Sequence, residues 1–97
     1  MGIELSIVKE LSLREQKSLI ERFVKLSEEC GELAQELLII SNASGFQHKT
    51  PGRDGIKGEA VDILLVVLSI FFKCGGSEED LEELIKKKCH KWKKWQK

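Results

Sequence analysis

The sequence predicts an all-α protein, a helical bundle of three main helices per chain that is completed by oligomerisation. Three observations carry this reading. Apolar residues recur at helical spacing through Leu19, Ile20, Phe23, Leu26, Cys30, Leu33, Leu37 and Leu38. Serine, asparagine and glycine punctuate the chain where helices would begin and end. Only one proline stands among the 97 residues. A chain of that length makes one domain, 1–97, near the small end for a self-sufficient core. Its 41% hydrophobic and 33% charged residues argue against disorder or low complexity.

The first eleven residues alternate in part (Ile3, Leu5, Ile7) and fit either an extended arm or a helical turn. Ser12 followed by Glu15 has the spacing of a capping box, which predicts a long helix over about 13–42. A helix of that length runs roughly 45 Å, more than the two shorter helices can cover, so a homodimer or homotetramer is expected. Asn42, Ser44 and Gly45 read as its stop, and 43–55 as a loop containing Pro51. From 56 to 73 the chain is almost continuously apolar and ends at Gly75-Gly76, which predicts a central, buried helix. Ser77 with Asp80 opens a third helix, about 78–95, whose acidic start and lysine-rich end complement the helix dipole.

Charge and cysteine content narrow the function classes. Sixteen basic and sixteen acidic residues cancel, so no overall field recruits nucleic acid or an anionic membrane. Cys30, Cys74 and Cys89 are odd in number and form no C-x-x-C pair, which argues against disulfides and a cysteine-bound zinc. The most apolar run, Ile63 to Phe72, is half the ~20 residues a bilayer requires, and residues 1–11 lack the pattern of a signal peptide. A cytoplasmic location is expected.

The acidic clusters carry the chemistry. Glu28-Glu29-x-x-Glu32 lies on the first helix and Glu59-x-x-Asp62 on the second, each with an i, i+3 pair. Glu29, Glu32 and Glu36 fall on one arc beside the apolar stripe. Glu59 and Asp62 open a helix that is apolar on nearly every face, so their carboxylates are expected to be buried. A buried carboxylate must be protonated, paired or metal-bound. Lys25 and Lys57 are the only basic residues nearby in sequence, and five carboxylates outnumber them. A divalent ion satisfies the excess, and all-oxygen ligation selects Mg2+ or Mn2+. Magnesium meets phosphate oxygens, so cleavage of a phosphate ester or anhydride is the chemistry to expect. A solvated acidic helix face is the alternative.

The segment from Lys25 to Glu36, followed by Gly58-Glu-Ala-Val-Asp-Ile-Leu-Leu65, resembles the E-E-x-x-E … E-x-x-D signature of MazG-like nucleoside triphosphate pyrophosphohydrolases. The resemblance implies an all-α domain that holds Mg2+ against a triphosphate and cleaves between the α and β phosphorus, releasing pyrophosphate and the nucleoside monophosphate. It makes Glu29, Glu32, Glu59 and Asp62 the metal ligands. It also implies that Glu28 supports a second ion or orients the attacking water. Relatives end in an aromatic and basic pattern that grips phosphate. Here the similar stretch is Lys91-Trp92-Lys93-Lys94-Trp95, with lysine in place of arginine. Lys91 and Lys94 then either meet phosphate as point charges or are simply a basic helix end. Trp92 and Trp95 either stack on a base or pack against another helix.

Gly52-x-x-Gly55-x-x-Gly58 is not a phosphate-cradling loop, since no strand precedes it and no Gly-Lys-Ser/Thr follows. The stretch reads as a flexible loop, whose Arg53 and Lys57, with Lys49, could close over a bound triphosphate. His48 and His90 have no companion acid that would suggest a catalytic triad. The alternative to an enzyme is a helical binding module that uses the lysine-rich last helix for nucleic acid or a protein partner.

Overall fold

Ser18, and not Ser12, starts the long helix. In the computed structural model, which describes residues 4–42, 45, 52 and 55–96, the described residues form four helices and no strand. They are α1 (Leu5–Arg14), α2 (Leu19–Ile40), α3 (Gly55–Lys73) and α4 (Glu78–Trp95). Three main helices were expected, and a single one over 13–42; instead the chain breaks at 15–18. Two S-x-x-E stretches compete there, and the second forms the capping box. The Glu21 amide donates to Ser18 Oγ at 3.2 Å, and the Ser18 amide donates to Glu21 Oε1 at 2.9 Å. Glu15 is extended (φ −63°, ψ 129°), and its carboxylate accepts the amides of Gln16 and Lys17. Ser12 is buried inside α1, where its hydroxyl donates to the Val8 carbonyl at 2.6 Å. Residues from Leu5 to Leu11, open between an arm and a helical turn in sequence, are helical.

The other boundaries agree with the sequence reading. Asn42 takes a left-handed φ of 57° just after α2. Gly75 takes φ 95°, and the amides of Gly75 and Gly76 bond back to the carbonyls of Phe72 and Phe71, closing α3 as a glycine C-cap does. Gly76 lies so close to the Phe71 ring that a Cβ there would strike it. Ser77 and Asp80 form the second capping box. The expected 43–55 loop lies almost wholly outside the described residues.

The helix α3 is central, packing against both α1 and α2, but it is not buried as expected. Its inward side supplies Leu68 and Phe72, which with Leu5 make the buried core, flanked by Val8, Phe71 and Leu81. Val61, Leu64, Leu65 and Val67 remain exposed. The cause is α4, which turns away from α3 by 118° and touches the core through Leu81 near its start. The accessible surface of 7683 Å² exceeds the roughly 5,600 Å² usual for a folded monomer of this mass. No single described helix is long and apolar enough to cross a membrane.

Candidate metal centre

α2 and α3 run antiparallel, so residues early in α2 meet residues late in α3. Arg22 reaches the Ser69 carbonyl at 2.9 Å, Glu29 meets Glu59 and Asp62, and Glu36 accepts the Gly52 amide at 2.6 Å. The i, i+3 spacing of Glu59 and Asp62 puts both on the face of α3 that meets Glu29. One carboxylate oxygen from each of Glu29, Glu59 and Asp62 lies within 4.8 Å of the others.

Electrostatics within this group are unbalanced. The Lys25 ammonium, one turn before Glu29, lies 2.9 Å from Glu29 Oε1. That hydrogen bond holds Glu29 below the usual carboxylate range and raises Lys25. Among the described residues no cation pairs with Glu59. Hydrogen bonding to Glu29, desolvation and the Glu32 charge push its carboxyl up to about 7. Glu29 Oε2 and Glu59 Oε2 are both occluded from solvent with no hydrogen-bond partner among the described residues. Glu29 as a whole is only 5% exposed. Among the described residues, one lysine therefore answers a group of acids that keeps two occluded, unpartnered oxygens. Such a donor set, all carboxylate oxygen from two facing helices, fits a hard divalent cation.

The remaining expected site residues are placed as follows. Glu32 is exposed, yet near enough to Glu59 to raise its pKa, so it adjoins the three-carboxylate group without joining it. Glu28 is exposed, lines a surface cleft with Lys17, Ile20 and Lys25, and is not one of the three converging carboxylates. Asp62 is exposed and Glu59 half-buried, whereas both were expected to be buried. The open side of α3 keeps Asp62 in contact with solvent. Lys57 is exposed on the first turn of α3. Arg53 lies outside the described residues. Lys91 and Lys94 are exposed on the far half of α4, beyond its contact with the core, and form no ion pair among the described residues.

Two buried charges matter more than the sequence suggested. Glu36 is 8% exposed; its Oε1 accepts the Gly52 amide, while its Oε2 has no partner among the described residues. A Cβ at residue 52 would collide with that carboxylate, so glycine permits the approach. The arc of Glu29, Glu32 and Glu36 was the signal that could have placed Glu36 here. Arg22 is 2% exposed and donates to three backbone carbonyls, those of Lys17, Glu15 and Ser69. It satisfies the carbonyls released by the break at 15–18 and ties that break to α3. No sequence pattern announced it.

No protein-family model, curated protein or solved structure matches the chain.

Proposed function

We propose that this protein is a magnesium-dependent hydrolase of nucleoside or deoxynucleoside triphosphates of the MazG-like kind, releasing pyrophosphate and the monophosphate. The observation that carries the reading is the meeting of Glu29, Glu59 and Asp62 across α2 and α3, with two occluded oxygens, Glu29 Oε2 and Glu59 Oε2, that find no partner among the described residues. Its support from sequence is the E-E-x-x-E … E-x-x-D order and spacing.

Mg2+, or Mn2+, would be held by Glu29, Glu59 and Asp62 with Glu32 beside them. When bound, it supplies neutralisation of phosphate charge and a water of lowered pKa. The chain's own contribution is to hold these carboxylates on two packed helices, so that little reorganisation accompanies binding. Lys25 keeps Glu29 ionised, and Glu59 must release its proton before its carboxylate can serve as a ligand. The overall reaction consumes one water, which adds to the α phosphorus as the bond to the bridging oxygen breaks and pyrophosphate leaves. The exposed apolar side of α3 supports assembly of several copies, a homodimer or homotetramer.

Exposed Lys86–Lys94 favours the alternative of a nucleic-acid-binding module, but that reading leaves the occluded carboxylate oxygens without a purpose. The test is incubation with a panel of nucleoside triphosphates and Mg2+, with pyrophosphate and orthophosphate measured separately. Pyrophosphate release that disappears in Asp62→Asn is expected. Orthophosphate alone, or no turnover of any nucleotide at high protein concentration, would overturn the proposal.

A further inference from the structure

Between α1, the first turns of α2 and the second half of α3 lies an open cavity of about 290 Å³. Val8 and Leu11 of α1, with Leu65 and Val66 of α3, give it apolar walls. The buried polar groups beside them are already engaged. Ser12 donates to the Val8 carbonyl at 2.6 Å, Ser69 donates to the Val66 carbonyl at 2.7 Å, and Arg22 spends its guanidinium on three main-chain carbonyls. Lys25 also lines the cavity, with its ammonium on Glu29. Of the lining residues, the exposed Glu15 and Lys17 are left to meet the polar edge of an occupant.

The cavity and the carboxylate group share one groove. On α3, Leu65 and Val66 lie one turn beyond Asp62, and on α2, Lys25 lies one turn before Glu29, a step of about 5 to 6 Å on each helix. Because the two helices run antiparallel, both steps lead the same way, from the carboxylates toward α1. The faces agree as well. At about 100° per residue, Leu65, Val66 and Ser69 stay within about 60° of Asp62, and Arg22 and Lys25 within about 40° of Glu29.

We propose that this cavity receives the base of the nucleoside triphosphate, an inference that rests on the hydrolase reading of the carboxylate group. A nucleotide carries a flat ring with apolar faces one sugar away from its phosphates, and the groove offers apolar walls one helical turn away from a hard-cation donor set. The lysine shared by the two places stands where the sugar and the α-phosphate would pass. The engaged state of Arg22 and Lys25 disfavours a free anion as the occupant of the walls. The volume lies at the bottom of the roughly 300–1,000 Å³ range of ligand pockets, which suits one ring system better than a helix or an acyl chain.

Two measurements on the full chain test this. In the first, methyl NMR of metal-free wild type is followed as cytidine, thymidine or adenosine is added to millimolar concentration. The methyls of Val8, Leu11, Leu65 and Val66 should shift and saturate, and those of Val61 and Leu84 should not. In the second, Val66→Phe, which fills the cavity, and Leu65→Ala, which removes one wall, are compared with wild type, with far-UV circular dichroism to monitor the fold. Each should raise KM for nucleoside triphosphates about tenfold while stabilisation by Mg2+ stays as in wild type. The first measurement needs neither metal nor turnover, so it separates the two readings. Methyl shifts in a protein that releases no pyrophosphate would reject the hydrolase and keep the nucleoside site. Pyrophosphate release without methyl shifts, or with KM unchanged in both variants, would overturn the cavity as the base site. Methyl shifts that follow protein concentration instead of nucleoside would give the cavity to a second copy of the chain and overturn it equally.

Discussion

Glu59→Gln isolates the strain in the carboxylate group. In the folded chain Glu59 keeps its proton up to about pH 7, whereas an unfolded glutamate releases it near its ordinary value of 4.5. Between those values the folded state binds more protons than the unfolded state, so stability contributed by this group is complete below about 4.5 and falls as pH rises through 7. Glutamine resembles the protonated acid in shape and can still donate to Glu29, but it cannot ionise. The metal-free variant should therefore match wild type at about pH 5 and melt at a higher temperature at about pH 8, where wild type carries the extra charge. Metal binding should behave in the opposite sense. Because the proton competes with the ion, apparent Mg2+ affinity of wild type should weaken about tenfold at pH 6 and about a hundredfold at pH 5 relative to its alkaline plateau. Calorimetry in two buffers of different ionisation enthalpy should show close to one proton released per ion below pH 7 and none well above it. Glu59→Gln should lose both the proton release and the stabilisation by Mg2+. A variant less stable than wild type at both pH values, yet still stabilised by Mg2+, would refute the reasoning: Glu59 would then be an ion-paired structural carboxylate.

Substitutions at three further positions test the structure around the site. Arg22→Ala should destabilise the chain by about 3 kcal/mol in denaturant titration, because a charged donor is lost and three carbonyls are left without it; a cost below about 1 kcal/mol would show that the clamp is dispensable. Ser18→Ala should cost about 1 kcal/mol, while Ser18→Asp, which retains a capping oxygen, should cost little; equal losses from both would reject Ser18 as the cap of α2. Lys25→Met should raise the pKa of Glu29, measurable by carboxyl NMR titration, and make the group more dependent on Mg2+ for stability; an unchanged Glu29 titration would mean that the 2.9 Å pair is not formed in solution.

The sequence by itself determined the all-helical class, the ends of α3 and α4, and the facing of the acids, because these follow from local rules. Glycine at 75 accepts a left-handed φ, Ser77 and Asp80 exchange hydrogen bonds three residues apart, and an i, i+3 pair shares a helix face whatever surrounds it. Tertiary structure decided what local rules leave degenerate. Ser12 and Ser18 present the same S-x-x-E pattern, and the chain breaks at the second, where Arg22 can bond the freed carbonyls of Glu15 and Lys17 and reach Ser69 across the core. Only the antiparallel register of α2 on α3 brings Glu29 to Glu59 and Asp62, leaves Glu32 at the margin and gives Glu36 the Gly52 amide. The raised pKa of Glu59 exists for the same reason, since it arises from carboxylates far apart in sequence. The apolar length of α3 resembled a buried helix, but burial depends on neighbours, and α4 turns away where packing against α3 would have covered it.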